Sequence, residues 1–394
     1  MKINVGVIYG GESVEHEVSI ISAIQAMKAL DEHKYEVIPL YISKQRRLYS
    51  SNLLKDISNY TDMDGLLAKA DEVYLLNQGN KVLLKAVKPK LFSAPYLQTI
   101  DVVIPVIHGT NGEDGTVQGY LEMLKVPYSG CDVVAAGVGQ DKVIMKYVLA
   151  GSKVPICDWL WFYGHEFEKD QDQLIPKIDK LGYPVIIKPA CLGSSVGIQI
   201  VHQASELSDA VNEAGKYDRK LVVEKMIKHL IEINCSVMGD CYSCAVSSLE
   251  QVMKQEEILS YQDKYGGNKK SKGSSKGMAG TSRIVPAPIS AERTEYIQEL
   301  AIKTFKVLGA SGVCRIDFLV DRDTDEVYVN EINTIPGSLA FYLWQASGVD
   351  FTQLMDQLVK QAVDRQRQRE KMIYSYDTNI LAGYRAGFKG KAKG

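Results

Sequence analysis

The stretch from Gly312 to Gly337, GVCRIDFLVDRDTDEVYVNEINTIPG, decides the fold. Residues 313–320 and 326–332 are rich in β-branched and apolar types, and the turn-forming segment 321–325 separates them. This pattern predicts a β-hairpin. Side chains two apart share a strand face, which sets Arg315 beside Asp317 and Glu331 beside Asn333. If the two faces coincide, two carboxylates and a carboxamide converge next to a guanidinium. Such an all-oxygen set suits a hard cation such as Mg²⁺, held jointly with phosphate groups. A half-exposed hairpin with its charges in water satisfies the same pattern, so the rest of the chain must decide.

The chain has 394 residues, which predicts two or three domains. Hydrophobic content of 45% and charged content of 24% are ordinary for a soluble globular protein. A net charge of -2 offers no electrostatic argument for nucleic acid or a membrane surface. The opening MKINVGVIYGGES has no apolar signal core, and no apolar run reaches the roughly 18 residues needed to span a bilayer. The expectation is a cytoplasmic protein. The 7 cysteines, scattered from Cys131 to Cys314, argue for reduced thiols. Cys241 and Cys244 have CxxC spacing but fall in an expected strand, where positions three apart face opposite ways, so neither a redox nor a zinc role is expected. No repeat appears at solenoid periods.

From the N-terminus, residues 5–9 read as a strand, Gly10-Gly11 as a turn and residues 19–30 as a helix, the opening of a βαβ unit. The turn lacks GxGxxG. Glu15 and Glu17 precede or open the helix, where carboxylates complement the dipole; Glu15 is also a catalytic candidate. Strands follow at 36–41, 73–76 and 81–86, with a short helix at 62–70. Residues 101–107 form a buried strand leading into HGTNGEDGTVQG and a helix at 116–124. Loops at the carboxyl ends of such strands hold ligands, which makes His108 a candidate beside its commoner reading as a satisfied loop histidine.

A second unit begins after Cys131. The helix 141–149 carries Lys142 and Lys146, and the strand 185–188 enters CLGSSVG before the chain returns at 198–201. Backbone N–H groups and two hydroxyls in that loop suit phosphate oxygens, although no Walker A motif occurs in the chain. A helix at 204–214 and a strand at 221–224 complete the unit. Strands at 232–238 and 243–249 open a third unit, followed by SYQDKYGGNKKSKGSSKGMAGTSR at 260–283, a length typical of lids. An amphipathic helix at 291–308 leads into the hairpin, a helix spans 351–365, and a basic tail runs from Gln366.

HGTNGEDGTVQG, VIIKPACLGSSVG, CRIDFLV and NEINTIPG, in this order, resemble the D-alanine–D-alanine ligases of the ATP-grasp superfamily. The resemblance covers most of residues 1–365, including the opening GGESVEHEVS. It implies an ATP-grasp fold of α/β and α+β class with three domains: an N-terminal α/β domain at 1–130, a central domain at 131–227 and a C-terminal domain at 228–365 bearing the metal site, then the tail 366–394. It implies an ATP-dependent ligase that joins two D-alanine molecules through an acylphosphate, supplying peptidoglycan synthesis. ATP and two Mg²⁺ (or Mn²⁺) ions are the expected cofactors. The expected partners are these small molecules and a second copy of the chain, with no nucleic acid or membrane.

Position by position, Lys142 and Lys188 match the phosphate-contacting lysines. Ser195, Val196 and Gly197 match the loop over the triphosphate, and Lys264 the lid lysine. Glu224 matches the residue that recognises the adenine amino group, with Lys225 and Ile227 in the same link, and Glu232 the ribose-binding glutamate. Asp317, Glu331 and Asn333 match the metal ligands. Glu15 matches the residue holding the first amino acid's ammonium group, linked by hydrogen bonds to Ser194 and Tyr265, and His108 falls near that substrate. Arg315 and the backbone N–H of Gly337 match the oxyanion-stabilising pair.

Two departures concern the second substrate. After NTIPG the family continues with a longer segment whose serine grips that substrate's carboxylate; here the chain reads SLAFYLW, leaving Ser338 as the candidate. The lysine-rich insertion after Tyr265 is also longer than in the family. The Lys264-Tyr265 pair resembles the dipeptide-forming type. Two further readings stay open at this point: a ligase joining D-alanine or another small amino acid to a different acceptor (an amino or hydroxy acid), and a non-catalytic nucleotide-binding regulator. The full set of Arg315, Asp317, Glu331 and Asn333 argues against the regulator.

Overall fold

A computed structural model of the chain describes residues 2–79, 81–89, 94, 96–253 and 283–378, and the strands within them form three sheets in chain order. The run VGVIY is continuously apolar apart from glycine, as a strand covered on both faces must be. It lies in Ile3–Gly10, which pairs in parallel with Tyr35–Ile42 and with Val102–Val106. Val5, Val7 and Tyr9 are fully buried. The strands Leu48–Ser50, Asp71–Gln78, Lys81–Ala86 and Gln98–Ile100 extend this sheet antiparallel to seven strands.

The helix His16–Ala29 connects the first two parallel strands. Its N-terminus, and Glu15 with it, therefore stands at a carboxyl edge of the sheet, where open α/β sheets bind ligands. The helix starts at His16 rather than near Ser19, because the Ser19 N–H already donates to the Glu15 carbonyl at 3.0 Å. A polar first turn hides that start from apolar periodicity.

The middle sheet is antiparallel, in the order Gln199–Val201, Val185–Pro189, Lys220–Lys225, Trp159–Tyr163. Val185, Ile187, Leu221 and Val223 pack against Leu207, Val211 and Ala214 of the helix Leu207–Gly215. Lys188 and Glu224 hold the alternate positions and so face the other way.

The C-terminal sheet repeats the device. Its antiparallel order is Arg283–Ile284, Cys244–Val252, Leu230–Gly239, Gly312–Asp321, Val327–Asn333, with the predicted hairpin at one edge. Cys235, Val237, Cys314, Ile316 and Phe318 pack with Ile297, Ala301 and Phe305 of the helix Ala291–Val307. Period 2 then leaves Glu232, Asn234, Arg315 and Asp317 on the opposite, polar face. Only Cys244 of the CxxC pair is within this sheet: Cys241 lies in the bend before the strand Cys244–Val252.

The helix Phe351–Arg369 returns to the first sheet, where Leu354, Met355 and Leu358 share a core with Val5, Val7 and Ile104. It runs four residues beyond the expected end at Arg365, since 366–369 hold no breaker and Arg369 pairs with Glu122 at 2.7 Å. The end of the tail, 379–394, lies outside the described residues, as do Lys264, Tyr265 and the whole stretch 254–282. Among the described residues, no helix is long and apolar enough to cross a membrane.

Candidate active site

The polar faces of the middle and C-terminal sheets line one cavity of about 590 Å³, to which Glu15, His108 and Glu113 of the N-terminal region contribute. On the middle-sheet side Glu224 is 2% exposed and ion-paired on both oxygens, to Lys146 at 2.9 Å and Lys188 at 2.7 Å. Burial alone would raise the Glu224 pKa; the two ammonium groups override it and hold the carboxyl down at about 2. Lys188 also donates to Asn330 Oδ1 at 3.1 Å, tying the middle sheet to the edge strand of the C-terminal one. Lys142 and Lys146 share a helix face by their i,i+4 spacing. Lys142 reaches across the cavity, donating to the Leu192 carbonyl at 2.7 Å and pairing with Glu331 at 3.2 Å.

The glycine-serine loop closes over this side. Ser194 and Ser195 are left-handed, with φ of 55° and 59°, and both line the cavity with Val196. Ser194 Oγ donates a short hydrogen bond to Glu15 Oε1, so the loop is latched to the first helix. Gly197 carries φ of 75° and completes the turn. Lys225, the last residue of the strand Lys220–Lys225, and Ile227 in the link after it join the lining, and Glu232 follows on the next strand.

The hairpin register converts the sequence pattern into a cluster. Arg315 pairs across strands with Asn333 and Asp317 with Glu331, so all four side chains stand on the cavity face. Arg315 grips Asp317 through Nε at 2.7 Å and a terminal nitrogen at 2.8 Å, and Asn333 Nδ2 donates to Asp317 Oδ2 at 3.1 Å. Burial disfavours the Arg315 charge, yet Asp317 keeps its pKa above the ordinary value.

The segment from Thr334 to Ser338 is held from the N-terminal region. His108 Nδ1–H donates to the Ile335 carbonyl at 2.8 Å, and its Nε2 accepts from Ser22 Oγ at 2.9 Å. Burial pulls the His108 pKa down to about 4, so the imidazole is neutral at pH 7. Glu113 accepts N–H groups from Gly109 and Ile335, each at 2.9 Å. Burial, then the charge of Glu15, pushes its carboxyl up to about 8. Gly337 lines the cavity, whereas Ser338 is 4% exposed, lies outside that lining, and donates its N–H to Ser22 Oγ at 2.9 Å.

Lys146, Asn330, Glu113, Asn234, Glu250 and Arg283 were not singled out as site residues from sequence. The spacing of Lys146 from Lys142 and the alternation Glu232–Asn234 were available signals; Glu113, whose partner Ile335 lies far along the chain, had none. Asp317, Glu331 and the Asn333 carboxamide offer three oxygen-bearing side chains on one face, a donor set that fits a hard divalent cation. Among the described residues no group of three His, Cys, Asp or Glu side chains is gathered for a metal, so an ion at this ladder would complete its shell with phosphate oxygens and water.

Comparison with known proteins agrees with this architecture. The family model for the D-ala D-ala ligase N-terminus matches residues 4–131, and that for the D-ala D-ala ligase C-terminus matches residues 148–360. The chain is 40% identical over 382 residues to the D-alanine–D-alanine ligase of Thermosipho melanesiensis, covering 96% of this chain and 98% of the relative. Among solved structures, the D-alanine-D-alanine ligase from Coxiella burnetii superposes with a TM-score of 0.78 at 29% identity, covering 94% of this chain and 96% of that one. The Bacillus anthracis enzyme complexed with ATP superposes with a TM-score of 0.65 at 26% identity, covering 93% and 99%. The chain belongs to the D-alanine–D-alanine ligase family.

Proposed function

We propose that this chain is an ADP-forming ligase that joins two D-alanine molecules at the expense of ATP, supplying D-alanyl-D-alanine for peptidoglycan synthesis. The observation that carries this reading is the single cavity in which the Arg315–Asp317–Glu331–Asn333 ladder and the lysines 142 and 188 line the same space. A protein that only bound a nucleotide would have no use for a guanidinium poised beside the metal ladder.

ATP lies between the central (131–227) and C-terminal (228–365) domains, and residues 1–130 bring the first amino acid. Glu224, Lys225 and Ile227 hold the adenine, Glu232 the ribose, and Lys142, Lys188 and residues 195–197 the phosphates, to which the family resemblance adds Lys264. Glu15, latched to Ser194 and assisted by Tyr265, orients the ammonium group of the first D-alanine, with His108 beside it as a neutral wall. Asp317, Glu331 and Asn333 would hold two Mg²⁺ or Mn²⁺ ions, which when bound would neutralise charge on the transferring phosphoryl group.

A carboxylate is a poor acyl donor, so one of its oxygens first attacks the γ-phosphorus and the bond to ADP breaks. The neutral amine of the second D-alanine then attacks the carbonyl carbon, loses a proton, and the C–O bond to phosphate breaks. Arg315 and the Gly337 N–H meet the developing oxyanion, where one such donor is typically worth about 3–4 kcal/mol. Dependence on ATP places the work in the cytoplasm, and a homodimer is the expected working unit. Hydroxylamine tests the acylphosphate directly: with ATP and D-alanine the wild type forms D-alanyl hydroxamate, and absence of hydroxamate under conditions that release phosphate would contradict the mechanism.

A further inference from the structure

The backbone directly after Gly337 is strained. Ser338, Leu339 and Ala340 have φ of 52°, 52° and 50° and ψ of 25°, 26° and 27°, a left-handed turn of three residues that all carry a Cβ. L-residues meet a steric penalty in that region, and those that enter it do so singly rather than in succession. Among the described residues this is the one run of three non-glycine residues with positive φ. Such a conformation persists only where the surroundings over-determine it, and it concentrates at functional sites.

The surroundings here come from both ends of the chain. Leu339 is buried in the core that Ile20 and Ile24 of the helix His16–Ala29 share with the first sheet. Past the turn, the helix Phe341–Gln345 is anchored on the C-terminal sheet. Its Tyr342 hydroxyl donates to Glu250 at 2.8 Å, with the Arg283 guanidinium 4.2 Å from the ring centroid, and Trp344 Nε1 donates to Ser236 Oγ at 2.9 Å. One hydroxyl holds the start of the turn. Ser22 Oγ accepts the Ser338 N–H at 2.9 Å and donates to His108 Nε2 at 2.9 Å, while His108 Nδ1–H reaches the Ile335 carbonyl. Ser22 and His108 thus clamp both ends of Ile335-Pro336-Gly337-Ser338, and the Gly337 N–H lies between the clamped peptides. Ser22 is 1% exposed and stands two helical turns beyond Glu15, at the start of the same helix.

We infer that Ser22 is a positioning residue for amide formation: through Ser338 it holds the left-handed turn, and the turn aims the Gly337 N–H at the reacting carbonyl. The helix whose start carries Glu15 therefore also sets the oxyanion donor, so the N-terminal region serves both amino-acid steps.

That role rests on the ligase reading, and one assay separates the two. The wild type, Ser22→Ala and Ser22→Ala/Ala340→Gly receive ATP, Mg²⁺ and D-alanine, and phosphate and dipeptide are both quantified. The wild type is expected to release one phosphate per dipeptide. Without the hydroxyl, the Ser338 N–H and His108 Nε2 lose their partner and the turn relaxes; a misplacement of about an ångström costs about a hundredfold in rate. Attack by the amine slows while phosphoryl transfer continues, so acylphosphate escapes to water and returns D-alanine and phosphate. Ser22→Ala should form dipeptide about tenfold to a hundredfold more slowly. Its phosphate-to-dipeptide ratio should rise well above one, with half-saturation by ATP unmoved. Adding Ala340→Gly should recover part of the coupling, because glycine takes a left-handed φ without support. A merely structural serine would depress both products together and keep the ratio at one, which overturns the inference. A ratio of one with a raised D-alanine requirement would mean that Ser22 acts through Glu15, and overturns it too. No recovery in the double variant would overturn the part given to the turn. Should Ser22→Ala not fold, the double variant carries the test, and its ratio must still exceed that of the wild type. ATP turnover by the wild type that D-alanine never stimulates would instead sink the ligase reading.

Discussion

Replacing Glu113 by glutamine tests how the oxyanion segment is held. The Glu113 carboxyl is 8% exposed and accepts two backbone N–H groups, from Gly109 and Ile335, each at 2.9 Å. A glutamine keeps the shape but has only one oxygen, so its NH₂ must face one of those donors. Losing an acceptor for a buried N–H costs about 1–3 kcal/mol. Ile335 stands two residues before Gly337, so kcat should fall about a hundredfold if the donor shifts by an ångström. The pH dependence is the sharper readout. The carboxyl is pushed from 4.5 up to about 8 by burial and by Glu15. Between those values the folded chain keeps a proton that the unfolded chain releases. Stability from this group is therefore complete below the lower value and is lost as pH rises through the upper one, by at most about 1.4 kcal/mol per pH unit. Glutamine does not titrate. The variant's melting temperature should trail the wild type most near the low end of this window, and the gap should narrow towards its upper end. Parallel melting curves across the window, with kcat intact, would refute the reasoning.

Three other outcomes are expected. Lys188→Ala removes the partner that Glu224 and Asn330 share, and should raise the ATP concentration for half-saturation about tenfold or more while barely moving that for D-alanine; equal losses in both titrations would contradict a phosphate role. Glu331→Gln should lower turnover at least about a hundredfold with ATP binding still measurable by calorimetry, and unchanged turnover would remove the ladder from catalysis. Gly109→Ala should weaken the first D-alanine site. Its φ is 71° and a Cβ would lie 2.8 Å from both Glu15 Oε2 and Ser13 Oγ, so an unaltered D-alanine dependence would show that Glu15 does not orient the substrate.

What was legible in the sequence follows the reach of each signal. Period 2 placed Arg315 beside Asp317 and Glu331 beside Asn333, and the hairpin turn brought the two pairs into register, because a short turn leaves few alternatives. The strand and helix carrying Lys188 and Lys142 were readable for the same local reason. Trp159–Tyr163 escaped notice, since WLWFY is apolar throughout and short, and periodicity cannot tell such a run from a buried helix turn. Gln171–Asp179 escaped because Pro176 sits inside it, past the first turn, where a proline ordinarily argues against a helix. The Lys146–Glu224–Lys188 bridge, the Glu113 clasp and the Arg283–Glu250–Tyr342 cluster join segments remote in sequence, and no local pattern reports them. The lid residues Lys264 and Tyr265 lie outside the described residues, so their assignment stays with the resemblance.

The most direct measurement of the central claim uses ATP, Mg²⁺ and D-alanine alone, with all products quantified by chromatography. Equal amounts of ADP, phosphate and D-alanyl-D-alanine are predicted, each dependent on D-alanine. ATP turnover that D-alanine never stimulates would contradict the account, whatever the cavity holds.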